Sequence, residues 1–245
     1  MKTHRSVLLY LATLAVALLA LPAHAGKTLD AIKSRGQLVC GVNVGLAGFA
    51  AADSSGNWSG LDVDVCRALA AAVLGNADKV KYVPLNAQQR FTALQSGEID
   101  ILSRNTTFTL TRDASLGLFM TVVTYYDGQG FMVPAKSRIS NAMQLKNQTV
   151  CVQAGTTTEK NLTDFSKANN LGIKPVVFEK LEAMTGAYFA GRCIAFTTDA
   201  SGLASVIAFS GLIRALFFGE PWRTMSTFLS MLAVYGAAAA FALMR

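Results

Sequence analysis

Short apolar runs rich in β-branched residues alternate with helical patterns along most of this chain, and the alternation occurs twice. In the first half, the runs QLVCGVNV, KVKYVPL and EIDILSR predict strands, and LDVDVCRALAAAVLG and AQQRFTALQSG predict helices that stop at a glycine. The order β-α-β-α-β is typical of a parallel sheet with helices on its faces. The sequence therefore predicts an α/β fold.

The second half repeats this plan without repeating the sequence. QTVCVQAG, IKPVVFEK and RCIAFTTDAS predict strands, and TTTEKNLTDFSKANN and LEAMTGAYFAG predict helices. In each half, a helix ending at a glycine (Gly97, Gly191) precedes an apolar strand, and a polar cluster follows that strand. Because ligands of open α/β sheets bind beyond the carboxyl ends of the strands, two such lobes predict a ligand cleft.

The polar cluster of the first half is the stretch SRNTTFTLTRDAS, residues 103–115. It gathers four threonines, an asparagine and two serines around Arg104 and Arg112. We predict that it begins at the carboxyl end of a strand over Ile99 to Ser103. A solvated loop and a site that grips a carboxylate or a phosphate are the two interpretations, and the place after a strand end favours the second.

Several classes of function are disfavoured by composition. Both histidines, His4 and His24, lie in the leader described below, so the mature chain lacks the usual general base and the commonest metal ligand. No G-x-S-x-G or P-loop string is present. The formal net charge is +7, but without a basic run it gives little support for nucleic-acid binding. We expect no enzymatic activity, no cofactor and no metal.

The first 25 residues have the form of a secretory signal peptide. Lys2 and Arg5 precede an apolar run from Val7 to Leu21, and Ala23-His24-Ala25 fits a cleavage site. An uncleaved membrane anchor is the alternative. Export places the mature chain in an oxidising compartment, where its four cysteines predict disulfides, with three pairings open.

Five segments together resemble the periplasmic solute-binding proteins of polar amino-acid ABC importers, and above all the group that binds L-amino acids in general. They are GNWSGLDVDVCRALAAAV, RFTALQSGEIDILSRNTTFTLTRD, YYDGQGF, VCVQAGTTTEKNL and AGRCIAFTTDAS. The resemblance covers residues 27–205. It implies the type II periplasmic-binding fold, with a first lobe over 26–130 and a second over 131–205. It also implies a periplasmic protein that delivers L-amino acids to an inner-membrane permease.

The resemblance assigns roles to particular residues. Arg112 would grip the ligand's α-carboxylate, as a planar guanidinium can. Asp199 would hold the α-ammonium, with capping of the next helix as the alternative role. Arg104 receives no role and is expected in solvent. The remaining ligand-binding residues that the resemblance implies are Asn43, Phe49, Asn105, Thr107, Thr156 and Thr157, the last two with helix capping as the alternative.

Two further expectations follow from positions within the lobes. Relatives that prefer lysine or arginine carry an acidic residue where this chain has Asn43, so we expect broad binding without selection of cations. Cys40 ends the first strand and Cys66 lies on the helix that returns beside it, whereas Cys151 and Cys193 begin two strands of the second lobe. These positions predict the disulfides Cys40–Cys66 and Cys151–Cys193.

The resemblance ends at Ser205. In residues 206–245, the stretch from Met225 to Met244 has 20 residues without a charge, enough to span a bilayer as a helix. We therefore expect an incomplete second lobe, a single crossing between the lobes, weak ligand binding and membrane contact through this tail. A membrane-tethered sensor and an inactive truncated or frameshifted product are the alternative functions, and an enzyme on the same fold is a third.

Overall fold

The computed structural model describes residues 26–217, 225–228 and 238–244. The signal peptide predicted over 1–25 lies outside the described residues. Two mixed five-stranded sheets form the centres of two lobes, and a short two-stranded sheet lies beside the first. The α/β fold predicted from the sequence is confirmed.

The first lobe begins with a helix and then alternates strand and helix as predicted. Its elements are α1 (Lys27–Arg35), β1 (Leu38–Asn43), β2 (Ala51–Ala52), β3 (Trp58–Ser59), α2 (Leu61–Leu74), β4 (Val80–Leu85), α3 (Gln89–Ser96), β5 (Ile101–Thr107), α4 (Leu110–Ser115) and β6 (Phe119–Asp127). The second lobe is built from β7 (Gln129–Pro134), β8 (Thr149–Gln153), α5 (Thr157–Ala168), β9 (Lys174–Phe178), α6 (Leu181–Phe189), β10 (Ala195–Asp199) and α7 (Ala200–Phe217).

Glycines end the first three helices, as the sequence predicts for α2 and α3. Gly36, Gly75 and Gly97 follow α1, α2 and α3 with φ of 67°, 70° and 79°, and each donates its backbone N–H to a carbonyl of the last turn. Only glycine adopts this left-handed conformation without a steric cost, so the chain turns there and enters the next strand.

The sheet of the first lobe is parallel where the sequence predicts it. β1 lies between β4 and β5 and runs parallel to both. Apolar side chains pack on both faces of this sheet, with Leu94 and Leu102 in one cluster and Val63 and Ile101 in the other. The parallel strands therefore all deliver their carboxyl ends to one edge, where β1 ends at Asn43 and β5 at Thr107.

The second lobe has the same arrangement. β8 pairs in parallel with β9 and with β10, and β7 runs antiparallel to β10. Phe131, Leu162 and Ala195 belong to the core on one face, and Met184 and Phe196 to that on the other. The carboxyl ends of β8 and β10 face the first lobe.

A single residue, Gly128, joins β6 of the first lobe to β7 of the second. The predicted lobe boundary between residues 130 and 131 lies two residues after this crossing, inside β7. The Asp127 carboxylate at this crossing accepts hydrogen bonds from the Gly128 and Ser201 backbone N–H groups, and the Ser201 hydroxyl also donates to it. The crossing is thus tied to the first turn of α7.

The described part of the tail differs from the sequence prediction. Residues up to Phe217 continue α7, which began before the predicted lobe boundary at 205. The stretches β11 (Met225–Phe228) and β12 (Ala238–Met244) are strands and not parts of a helix over 225–244. Residues 229–237 lie outside the described residues. Short apolar runs suit a buried strand as well as a helix, and hydropathy alone does not separate the two.

These two strands belong to different lobes. β11 pairs with β7 of the second lobe, whereas β12 lies between β5 and β6 of the first. The chain therefore returns to the first lobe, and the expectation of a single crossing is wrong. Among the described residues, no helix combines the length and the apolar character needed to cross a membrane.

Both predicted disulfides are confirmed. Cys40 on β1 is bonded to Cys66 on α2, and Cys151 on β8 is bonded to Cys193, with Cα–Cα distances of 6.2 Å and 5.6 Å. Each bond lies within one lobe, and each fixes a strand of the central sheet to the element that packs beside it.

Candidate functional site

A polar cleft lies between the lobes, where the carboxyl ends of the strands of both sheets face each other. It measures about 270 Å³, part of which is open to solvent. The first lobe contributes side chains from α3 and β5, and the second contributes the end of β8, the loop before α5, the first turn of α5 and the end of β10. The lining residues are Arg90, Arg104, Asn105, Thr107, Gln153, Thr156, Thr157, Thr158, Thr198 and Asp199.

The first-lobe wall depends on the length of β5. The strand continues to Thr107, four residues beyond the predicted end at Ser103. Threonine suits the pleated backbone of a strand, so the hydroxyl-rich sequence extends the strand and does not end it. Because successive side chains of a strand point to opposite faces, Asn105 and Thr107 share one face, and Arg104 lies on the other.

Asn43 and Asn105 form a hydrogen-bonded pair at the ends of neighbouring strands. The Asn43 amide donates to Asn105 Oδ1 at 2.8 Å, and Asn43 Oδ1 accepts from the Gly45 backbone N–H at 3.1 Å. Asn43 is buried and is not one of the lining residues, whereas Asn105 lines the cleft. In the structure, Asn43 therefore holds Asn105 in place.

Arg112 sits on the short helix α4 beside the end of β5. Its Nη1 donates to the Thr107 carbonyl oxygen at 2.8 Å, and its guanidinium carbon lies 5.0 Å from the centre of the Phe91 ring. Burial lowers the pKa of Arg112 to about 10, against the attraction of Asp199, so the side chain stays charged at neutral pH. It is not one of the described lining residues, and its contact with a carboxylate stays a prediction.

The two threonines of the second lobe open α5. The Thr156 hydroxyl caps the helix by accepting from the Glu159 backbone N–H at 3.1 Å, and it also donates to the Gln153 carbonyl oxygen. The Thr157 hydroxyl lies 3.0 Å from that of Thr107 in the first lobe. Thr156 thus combines capping with a place on the cleft wall, and Thr157 contacts the opposite lobe.

Asp199 ends β10 and brings the one carboxylate among the described lining residues. Burial raises its pKa to about 6, and the nearby charge of Asp127 adds to this rise. Arg90, the Asn105 side chain and Arg104 oppose the rise because they stabilise the ionised form. At neutral pH, Asp199 is therefore an anion that faces arginines and can accept a cationic group.

The expectation for Arg104 is wrong. Only 2% of its surface is exposed, and it lines the cleft. Its Nε donates to the Leu85 carbonyl oxygen at 3.2 Å, so the side chain reaches from β5 past β1 to the end of β4. Burial lowers its pKa to about 10, and the charges of Asp62 and Asp199 oppose this shift.

Arg90 on α3 was not predicted as a site residue. It is also 2% exposed, and its guanidinium contacts both lobes. Nη1 donates to Thr106 Oγ1 at 3.1 Å, and Nη2 donates to the Gly155 carbonyl oxygen of the second lobe at 3.2 Å. Its Nε has no hydrogen-bond partner among the described residues. The helical pattern AQQRFTALQSG contained a signal: Arg90 shares the helix face of buried Ala93 and Leu94, three and four residues later.

Phe49 is buried beside the cleft rather than among its described lining residues. Its ring packs edge-on against Tyr125, with ring centres 5.4 Å apart. Phe49 therefore connects the loop after β1 to β6. Across the described part of the chain, no group of three or more potential metal ligands is present.

The sequence of the chain also identifies its family. Residues 38–204 match the bacterial extracellular solute-binding proteins, family 3. The chain belongs to this family. The recognition made from the sequence motifs is thereby confirmed.

Two curated relatives share more than half of the aligned residues with this chain. The general L-amino acid-binding periplasmic protein AapJ of Rhizobium johnstonii is 56% identical over 197 residues, which is 80% of this chain and 58% of that protein. The glutamate/glutamine/aspartate/asparagine-binding protein BztA of Rhodobacter capsulatus is 53% identical over 196 residues, with the same shares of 80% and 58%. This family member therefore spans a little over half the length of those relatives.

A solved structure shares the fold. An ABC-transporter periplasmic binding protein from Brucella ovis with glutathione bound superposes with a TM-score of 0.79 at 47% identity. The match covers 89% of this chain and 65% of that one. The two-lobe architecture is therefore that of a known periplasmic binding protein.

Proposed function

We propose that this family member binds L-amino acids in its cleft, in the periplasm, and delivers them to the membrane permease of an ABC importer. The observation that carries the proposal is the charge arrangement at the cleft. Arg112 stands beside the end of β5, Asp199 ends β10, and the first turn of α5 lies with them. A zwitterion offers one carboxylate and one ammonium to match this arrangement.

The carboxylate end of a ligand has two sources of attraction. The Arg112 guanidinium provides a charged donor, and bonds of this kind contribute about 1.5–3 kcal/mol net. The start of α5, a 12-residue helix, presents free backbone N–H groups and the Thr157 hydroxyl. Both elements act on a group that every amino acid has, which suits broad binding.

The ammonium end is served by Asp199. Its pKa near 6 leaves it ionised at neutral pH, and the Asn105 side chain beside it stabilises the ionised form by a hydrogen bond. No second carboxylate lines the described cleft to favour a cationic side chain. The proposed ligands are therefore neutral or acidic L-amino acids, in agreement with the expectation from Asn43.

The contacts between the lobes support capture by closure. Besides the pair Thr107–Thr157, the Ser205 hydroxyl of α7 donates to the Ala47 carbonyl oxygen of the first lobe at 2.7 Å. Hinge closure around a ligand is a common motion of two-lobed binding proteins. The one-residue crossing at Gly128 is a place where a small backbone rotation would separate the lobes.

The names of the relatives support the class of ligand. One relative is described as binding L-amino acids in general and another as binding glutamate, glutamine, aspartate and asparagine. The predicted signal peptide over 1–25 supports export, which the description of AapJ as a periplasmic protein also favours.

Isothermal titration with a panel of L-amino acids tests the proposal. We expect binding of several neutral and acidic amino acids, and loss of all binding in Arg112→Ala. Arg67→Ala is the matched control, because Arg67 is exposed and pairs with Asp78 away from the cleft. If no amino acid titrates, or if Arg112→Ala binds like the wild type, the proposal is wrong. Uptake of a labelled amino acid by cells with and without the chain tests delivery to the permease.

A further inference from the structure

We infer that Arg104 determines which side chains the cleft accepts, by donating to an acyl oxygen in the ligand's side chain, with Asp62 as the counter-charge that positions it. The inference rests on the proposed amino-acid binding and adds the chemistry of the side-chain end. It concerns a residue to which neither the motifs nor the roles inferred from them assign ligand contact.

The donors of Arg104 are incompletely used. Its Nε donates to the Leu85 carbonyl oxygen, and its two terminal nitrogens make no hydrogen bond to the described residues. The residue is 2% exposed and lines the cleft. A buried guanidinium whose terminal nitrogens lack acceptors is costly, because those N–H groups have lost their hydration without replacement. An acceptor on a bound ligand would provide that compensation.

Arg90 differs from Arg104 because its terminal nitrogens donate to protein acceptors. Its Nη1 donates to Thr106, and its Nη2 donates to the Gly155 carbonyl oxygen across the cleft. Each terminal nitrogen of Arg90 already has a protein acceptor, whereas neither terminal nitrogen of Arg104 has one among the described residues, so Arg104 offers a ligand more unused N–H donors. Arg112, the third arginine at this edge, is assigned to the α-carboxylate under the proposed function.

The charges at the cleft also require an extra acceptor. Arg90 and Arg104 line it together with one carboxylate, Asp199, which is assigned to the α-ammonium. A zwitterion with an apolar side chain would bring no acceptor for the terminal nitrogens of Arg104. A side-chain carboxylate neutralises that charge, and a side-chain carbonyl accepts a charge-assisted hydrogen bond from it.

Asp62 stands behind Arg104. It begins α2 and is 1% exposed. Neither carboxylate oxygen has a hydrogen-bond partner of good geometry among the described residues, although the nearby Asn105 backbone N–H helps to lower its pKa. Its charge interacts with that of Arg104. No ion pair within 4.0 Å joins the two described residues, so the attraction orients the guanidinium without occupying its donors.

Several kinds of ligand carry an acyl oxygen in the side chain. The side-chain acyl oxygen occurs in glutamate as a carboxylate, in glutamine as an amide and in γ-glutamyl peptides as a peptide carbonyl. The Brucella ovis structure contains glutathione, which is of the last kind. Titration with glutamate, glutamine and glutathione distinguishes these sources, and methionine and norleucine provide similar length without the oxygen.

The test compares Arg104→Met with the wild type over these ligands. Methionine preserves much of the length of arginine and removes the charge and the donors. We expect the wild type to bind glutamate and glutamine more tightly than methionine. In Arg104→Met, we expect a loss of roughly 10- to 100-fold for glutamate and glutamine, the range for a charge-assisted hydrogen bond, and a change below about threefold for methionine.

Each outcome decides a separate claim. Equal loss for glutamate and methionine, or no loss for glutamate, overturns the role of Arg104 and leaves amino-acid binding intact. Failure of the wild type to bind any amino acid overturns the proposed function instead. If Arg104→Met does not fold, the wild type and Arg104→Lys decide. Wild-type affinity for norleucine equal to that for glutamine overturns the inference, and a selective loss for glutamine in Arg104→Lys supports it.

The role of Asp62 has its own readout. In Asp62→Asn, the negative charge behind Arg104 is absent, so a ligand carboxylate is attracted more strongly than a ligand amide. We expect the preference for glutamate over glutamine to rise by about three- to tenfold, while methionine binding is unchanged. An unchanged ratio of the two affinities overturns Asp62 as the counter-charge of Arg104.

Discussion

The Arg90 guanidinium of the first lobe donates to the Gly155 carbonyl oxygen of the second at 3.2 Å, so one buried cation holds the two walls of the cleft together. The two lobes approach each other closely at Gly155. A Cβ built on Gly155 would lie 3.0 Å from Gln88 Cγ and 3.4 Å from the Ala87 carbonyl oxygen. Gly155 also has φ of +72°, where glycine is favoured. The absence of a side chain at 155 lets the lobes meet.

We expect Gly155→Ala to weaken ligand binding more than it weakens the fold. Its methyl group would press against Gln88 of the other lobe and disfavour the closed form, so affinity should fall in proportion to the closed fraction. Gly191→Ala is the control, because Gly191 has φ of +78° with nothing within 4 Å of a built Cβ. Both changes cost about 1–2 kcal/mol of backbone strain. Equal affinities in the two variants, measured by titration, would contradict the steric role.

The stability of the protein should depend on pH through Asp62. Burial raises its pKa from 3.8 to about 6, so folding favours the protonated form. The stabilisation is complete below about pH 4 and is lost as the pH rises through 6. In Asp62→Asn this loss is absent, and we expect greater stability than the wild type at pH 8, by at most about 3 kcal/mol, with no difference at pH 4. Urea unfolding at the two pH values measures this, and parallel pH profiles would contradict it.

Asp127 should influence the protonation of Asp199, the carboxylate that is proposed to bind the ligand's ammonium group. Its charge contributes to the raised pKa of Asp199, so Asp127→Asn should lower that pKa below its value of about 6. Under the proposed function, affinity for amino acids falls as the pH drops through the pKa of Asp199, because a protonated carboxyl no longer attracts the ammonium. The fall should move to lower pH in Asp127→Asn. Titration between pH 4 and pH 7 measures the shift.

The same variant has a structural control. Asparagine at 127 can still accept from the Ser201 backbone N–H at the start of α7, whereas alanine cannot. We expect Asp127→Ala to cost about 1–2 kcal/mol of stability and Asp127→Asn to cost less. A pH profile of binding identical to the wild type in Asp127→Asn would show that the two carboxylates do not interact.

Removal of either disulfide should destabilise the fold without abolishing the cleft. Replacing Cys40 and Cys66 by serine opens a loop of 26 residues, and replacing Cys151 and Cys193 opens one of 42. The chain-entropy relation gives losses of about 3.5 and 4 kcal/mol. Thermal unfolding measures them, and ligand titration well below the transition should give near wild-type affinity. A loss of affinity as large as that of Arg112→Ala would mean that the disulfides position the site itself.

Much of the fold is local enough to be predicted from the sequence. The glycine stops at Gly75 and Gly97 combine with strand and helix periodicity, and both signals act over a few residues. The disulfides followed, because the predicted elements placed each pair of cysteines in one lobe. The end of β5 was missed because threonine and asparagine suggest a loop, whereas strand pairing in the lobe carried the backbone on to Thr107.

The buried arginines of the site could not be predicted in the same way. An arginine among polar neighbours suggests solvent exposure, and the groups that compensate Arg104 are Leu85, 19 residues away, and Asp62. Arg90 likewise depends on Gly155, 65 residues along the chain. The strands β11 and β12 could not be predicted for the same reason, because their partners β7, β5 and β6 precede them by many residues. Such contacts exist only in the assembled fold.

The placement of both disulfides inside single lobes has a mechanical consequence. A force that pulls the lobes apart meets no disulfide between the described parts of the two lobes, and noncovalent contacts such as Arg90–Gly155 and Ser205–Ala47 are the first to resist it. Within each lobe, the cross-link withholds 26 or 42 residues from stretching, about 90 Å or 150 Å of contour length. Stretched in an optical trap, the oxidised molecule should therefore open at the cleft first and then unravel by steps that reduction makes longer.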